Sequence, residues 1–148
     1  MAMELHTFFP YRLAVLAEAV SQSVAQVYRE RFGLTRDEWR VIAALAESGS
    51  ARTAQIIERT TLEKMQVSRA VTRLEEGGLL ERQPDPEDGR GWVLRLKPQG
   101  RALYRKIVPV VEAREAFLLD ALDAAERQVL DSVLAKVLER ARLLSSQG

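Results

Sequence analysis

Apolar residues near the start of the chain recur at steps of three and four: Leu13, Leu16, Val20, Val24 and Val27. That spacing places side chains on one face of an α-helix, and it predicts one long amphipathic helix from about Pro10 to Arg31, stopped by Gly33. Thr35 followed by Glu38 has the form of a capping box. Trp39, Ile42, Ala43 and Leu45 then supply the buried stripe of a second helix that ends near Gly49. Residues 54 to 59 form a short third helix, with Ile56 and Ile57 inward. After a break at Thr60 and Thr61, Val67, Ala70, Val71 and Leu74 mark a fourth helix closed by Gly77 and Gly78, a glycine C-cap. Two helices across a tight break suggest a helix-turn-helix.

The period then changes. Leu80 to Gln83 and Trp92 to Leu96 are β-prone, and the Pro, Asp and Gly between them predict a hairpin with a long tip. Pro98 suits the first turn of a helix. Leu103, Ile107, Val110, Val111, Phe117 and Leu118 extend that helix, and Pro109 is expected to kink or divide it. Asp123 and Glu126 cap a last helix with a wide stripe of Leu130, Val133, Leu134, Val137, Leu138 and Ala141. The expected fold is mainly α, made α+β by the hairpin. It is a winged helix-turn-helix at 35–97 between dimerisation helices at 1–34 and 98–148, within one compact chain rather than independent domains. A helix of 22 residues extends roughly 33 Å, so such arms protrude unless a second copy covers them, and a homodimer is the simplest arrangement.

Composition narrows the chemistry. At 148 residues, with 47% hydrophobic and 29% charged, the chain is an ordinary globular domain without internal repeats. The absence of cysteine excludes disulfides, thiolate metal sites and thiol redox switches, and a single histidine, His6, excludes multi-histidine metal centres. Pro10, Arg12 and Glu18 interrupt the apolar stretch from Phe8 to Val20, which is therefore neither a secretory segment nor a membrane span, and a cytoplasmic location is expected. No phosphate loop, nucleophile elbow or metal-ligand spacing is present, Glu75 and Glu76 point in different directions, and neither an enzyme nor a cofactor is expected. Net charge is only +1, yet residues 52 to 106 carry twelve Lys/Arg against eight Asp/Glu, a basic centre between mildly acidic ends that suits an anionic partner.

The sequence resembles the MarR family of transcriptional regulators. The resemblance is carried by Phe32-Gly33-Leu34-Thr35 with Glu38-Trp39-Arg40-Val41, by Val67-Ser68-Arg69-Ala70-Val71, and by Leu74-Glu75-Glu76-Gly77-Gly78-Leu79-Leu80-Glu81-Arg82. Asp85-Pro86-Glu87-Asp88-Gly89-Arg90 is similar to the family's Asp-x-Arg wing, and Leu96 to Gly100 to its exit. Two departures stand out. Lys97 replaces the threonine that usually caps the next helix, and Gly89 and Gly91 flank Arg90, giving a tip expected to be flexible without DNA.

The resemblance implies binding to a pseudo-palindromic duplex, as a repressor rather than an activator, with two recognition helices about 34 Å apart. With Val67, Ala70, Val71 and Leu74 inward, the outer faces of the fourth helix carry Gln66 and Arg69 for base edges, and Ser68, Thr72 and Arg73 mainly for phosphates. A solvated helix face is the plainer reading of the same residues. Arg90 corresponds to the wing arginine that enters the minor groove, with Asp88 orienting it, while Asp85 and Glu87 read as an ordinary polar turn. Lys64 and Arg82 are candidate phosphate contacts, as are Arg52 and Thr53 before the third helix. Family members also commonly lose DNA affinity on binding small aromatic anions. Candidates for that role are Tyr11, Arg12, Trp39 and Arg40; Trp39 fits a core position better, and Arg12 fits a salt bridge equally well. A winged helix that binds protein instead, as an adaptor, is the alternative function.

Overall fold

A computed structural model describes residues 2–147. After a 3-10 turn at Leu5–Thr7, the chain forms α1 (Phe9–Phe32), α2 (Arg36–Ser48), β1 (Ser50–Arg52), α3 (Thr53–Thr60), α4 (Lys64–Glu76), β2 (Leu80–Pro84), β3 (Trp92–Leu96), α5 (Pro98–Leu119) and α6 (Ala124–Gln147).

Local chemistry accounts for most of the boundaries. Pro10 sits in the first turn of α1, and Gly33 ends the helix at φ 66°, a left-handed conformation in which glycine has no Cβ penalty. The Thr35 box is reciprocal: the Glu38 N–H donates to Thr35 Oγ1 at 3.1 Å, and the Thr35 N–H to Glu38 Oε1 at 3.0 Å. Asp123 and Glu126 repeat the arrangement before α6, at 2.8 and 3.1 Å. After α4, Gly78 takes φ 74° while the Leu79 N–H closes onto the Leu74 carbonyl. The turn between α3 and α4 uses no glycine. Thr61 adopts φ 61°, and Leu62 beside it is buried and pins the turn.

The core lies between α2, α3, α4 and the sheet, with Ile42, Leu45, Ile56, Val67, Leu74, Leu80 and Leu94 essentially inaccessible and Ile107 joining from α5. In α2 the buried stripe is Val41, Ile42, Ala44 and Leu45, whereas Ala43 and Trp39 are half-buried. This helix is enclosed over a wider arc than the expected stripe. Ile57 is likewise half-buried beside a fully buried Ile56.

The hairpin acquires a third strand that the sequence pattern did not announce. β3 is central, antiparallel to β2 on one side and to β1 on the other, with Ala51 facing Leu94. Three residues carry too little alternation to signal a strand. Pro109 does not divide α5, which is continuous through it. Proline removes the donor for the Arg105 carbonyl, and both residues are exposed, so water can satisfy that group. Lys97 supplies no cap; its N–H donates to the Leu79 carbonyl at 2.9 Å, and the Arg101 guanidinium holds the Leu96 carbonyl at 2.8 Å.

Two compact units divide the chain inside α5, one running to Val111 and the other from Glu112 onward. In the first, the N-terminal half of α1 leaves Phe9, Leu13, Leu16 and Val20 exposed at 37% to 60%. In the second, no residue of α6 is buried, and Val129, Val133, Leu134, Leu138 and Leu144 are open. Among the described residues no helix is long and apolar enough to cross a membrane.

Candidate nucleic-acid interface

The inner face of α4 is fixed by Val67, Ala70, Val71 and Leu74, which turns Lys64, Met65, Ser68, Arg69, Thr72 and Arg73 outward, all exposed. Gln66 is half-buried, and its Oε1 accepts the Glu63 N–H at 2.9 Å. Its side-chain oxygen thus caps the helix, which leaves the amide nitrogen to donate.

A cleft of about 310 Å³ separates α4 from the hairpin, and it brings together Thr53, Lys64, Ser68, Arg82, Arg90 and Trp92. Five of these are among the residues singled out from the sequence. Trp92 is not; the first residue of a short strand gives no signal until its partner is known. Here it faces Pro84 across the hairpin, and the Arg82 guanidinium lies over its ring, 5.4 Å from the centroid.

Arg82 is committed within the chain. Its Nε donates to Glu75 Oε2 at 3.1 Å, and its terminal nitrogen reaches Thr72 Oγ1 at 3.5 Å. It ties β2 to the end of α4. Arg52 is committed more fully, with Nε 2.6 Å from Asp85 Oδ2 and a terminal nitrogen 2.6 Å from Glu87 Oε2. Asp85 and Glu87 are therefore not an ordinary polar turn. Asp85 is buried, with its side chain 2% exposed. The Glu87 N–H donates to its Oδ1 at 2.9 Å, which with Arg52 holds the carboxyl below the ordinary aspartate value despite burial. Hydrogen bonding to Glu87 and Asp85 raises the Arg52 pKa in turn.

The wing tip is closed by hydrogen bonds. The Asp85 N–H donates to the Gly91 carbonyl at 3.1 Å, the Gly91 N–H to the Asp88 carbonyl at 3.0 Å, and the Arg90 N–H to Asp88 Oδ1 at 3.0 Å. Asp88 thus orients the backbone of Arg90, and neither Gly89 nor Gly91 needs a positive φ.

The candidate ligand residues fall into two places. Trp39 is the middle of a three-ring stack, 5.7 Å from Tyr28 and 5.8 Å from Tyr104. Burial raises the pKa of the Tyr28 hydroxyl. Trp39 and Arg40 also line a cleft of about 380 Å³ with Glu47, Arg59, Thr60 and Thr61. Tyr11 and Arg12 lie on the exposed half of α1 and do not line it.

A helix-turn-helix followed by an antiparallel hairpin, with cations on the outer face of the second helix and at the hairpin tip, defines a winged-helix DNA-binding regulator. Residues 32–91 match the model of the MarR family. It is 27% identical over 113 residues to the HTH-type transcriptional regulator FarR of Neisseria gonorrhoeae, covering 76% of this chain and 77% of that protein. It is 26% identical over 106 residues to the HTH-type transcriptional repressor NicR of Pseudomonas putida, covering 72% and 67% respectively. A crystal structure of a MarR/EmrR family transcriptional regulator from Acinetobacter sp. ADP1 superimposes with a TM-score of 0.85 at 26% identity, over 95% of this chain and 99% of that one. Regulators of this family bind DNA, typically as dimers, and small-molecule ligands.

Proposed function

We infer that this chain is a cytoplasmic homodimeric repressor that grips a pseudo-palindromic duplex through α4 and the wing. The observation that carries the reading is the cleft between α4 and the wing that Lys64, Arg90, Thr53 and Ser68 line, with Arg69 and Arg73 exposed farther round α4. Arg69 and Gln66 address base edges, Ser68, Thr72, Arg73, Lys64 and Thr53 address phosphates, and Arg90 enters the minor groove with its backbone held by Asp88. Arg52 and Arg82 support this face through their carboxylate partners. The open apolar surfaces of α1 and α6 support residues 1–34 and 98–148 as the arms that meet a second copy.

A small aromatic anion is the ligand class that suits the Trp39 cleft, whose lining carries two cations, Arg40 and Arg59, against one carboxylate, Glu47. Its effect is a population shift toward a dimer whose recognition helices no longer match the groove spacing. Identical separation of the recognition lobes with and without an inducing ligand contradicts this.

The test is equilibrium binding to the DNA immediately upstream of the chain's own gene against random duplex of equal length, at two salt concentrations. Preference for the upstream DNA that persists at the higher salt is expected. Weak binding that disappears equally for both duplexes leaves only counterion release and favours the protein-adaptor reading.

A further inference from the structure

Of the cations around the candidate DNA face, Arg52 is the one held by two carboxylates, and the two are not equivalent. The Asp85 side chain is 2% exposed and is built into the wing base, where it also receives the Glu87 N–H. It alone neutralises Arg52. The Glu87 side chain is 78% exposed and takes a terminal nitrogen of the guanidinium at 2.6 Å, the same nitrogen that Asp85 Oδ1 reaches at 3.5 Å. The trio therefore carries a net negative charge next to Thr53, at the edge of the cleft that Lys64 and Arg90 line. An exposed ion pair of this kind contributes little to stability, so holding the wing in place does not account for Glu87.

We propose that Glu87 is an affinity-setting residue that withholds Arg52 from the DNA backbone, keeping a phosphate-competent cation on the interface occupied. The proposal rests on the DNA-binding reading of α4 and the wing. Its physical basis is competition for one donor edge. A phosphate oxygen and the Glu87 carboxylate offer the same charge-assisted hydrogen bonds to the guanidinium, and the intramolecular partner is already in place. Arg52 remains 46% exposed, so removing the carboxylate opens it to the duplex without moving the buried Asp85 pair. Glu87 is thus a positioning residue acting through Arg52, with no DNA contact of its own.

The experiment compares the full-length chain with Glu87→Gln on a mixed-sequence duplex across a range of salt, with thermal unfolding measured alongside. Glu87→Gln is expected to unfold at the same temperature, to bind about three- to tenfold tighter, and to steepen the slope of log affinity against log salt by about 0.9, the signature of one added phosphate contact. Both gains should vanish in the Arg52→Gln background. Because Arg52→Gln can loosen the wing, Arg52→Lys serves as a second background; it keeps a cation for Asp85 but lacks the second guanidinium nitrogen, and the gains should shrink there too. Gains of equal size with and without Arg52 overturn the proposal, since they reflect only loss of repulsion. Unchanged affinity in Glu87→Gln while Arg69→Ala still weakens binding overturns it and leaves the DNA reading standing. Insensitivity of duplex binding to both variants removes the two together.

Discussion

Two sets of arginines share one side of the winged helix and differ in what holds them. Arg69 and Arg73 project from α4 with their guanidinium groups exposed, whereas Arg52 and Arg82 project from the sheet into carboxylates at 2.6 and 3.1 Å. The residue type is the same and the surroundings decide the role. An exposed guanidinium with no carboxylate beside it gives up little to meet a base or a phosphate. One already bound to Asp85 or Glu75 has to exchange a partner first, and in the free chain it fixes the position of a strand instead.

The largest expected difference is at Arg69. Arg69→Ala should cost about 1–3 kcal/mol on the specific site and relax base preference at one position, measured by competition between site variants. Equal losses on specific and random DNA would move Arg69 into the phosphate-contacting group. Arg82→Ala should act on folding before it acts on binding. Loss of the Glu75 pair and of the cation–π contact with Trp92 should lower stability by about 1 kcal/mol, read by denaturant titration and by a change in Trp emission, with the salt slope of DNA binding nearly unchanged. Arg73→Ala should do the converse, leaving stability as it is and reducing the salt slope by about 0.9.

A smaller effect depends on pH. The carboxyl of Asp85 is held below its ordinary value, so the stability it lends the wing is fully present above the ordinary aspartate value and is lost as pH falls through the lowered one. Asp85→Asn should remove that acid-side dependence, checked by thermal unfolding of both forms across the acidic range.

The same contrast explains what could be read from the sequence. Elements set by neighbours three or four residues apart were legible: the faces of α1 and α4, the boxes at Thr35 and Asp123, and the glycine stop after α4. The outer positions of α4 followed from its inner ones. The partners of Arg52 lie 33 and 35 residues along the chain, and a charge carries no periodicity that would reveal such a pairing. β1 is too short to show alternation and exists because β3 offers it an edge. Trp92 needed the hairpin register before its contact with Arg82 could be seen. Thr61 is the reverse case, a β-branched residue in a left-handed conformation that sequence preference argues against. The burial of Leu62 and the packing of α3 against α4 impose it.

The central claim is that α4 reads base edges in the major groove at two related half-sites. Methylation interference at guanine N7 on the upstream duplex addresses it directly, because that atom lies where Arg69 would form its bidentate contact. The account predicts two clusters of interfering guanines about one helical turn apart, with interference at one guanine per cluster abolished in Arg69→Ala. Binding that is indifferent to N7 methylation, or a pattern that Arg69→Ala leaves intact, would contradict it.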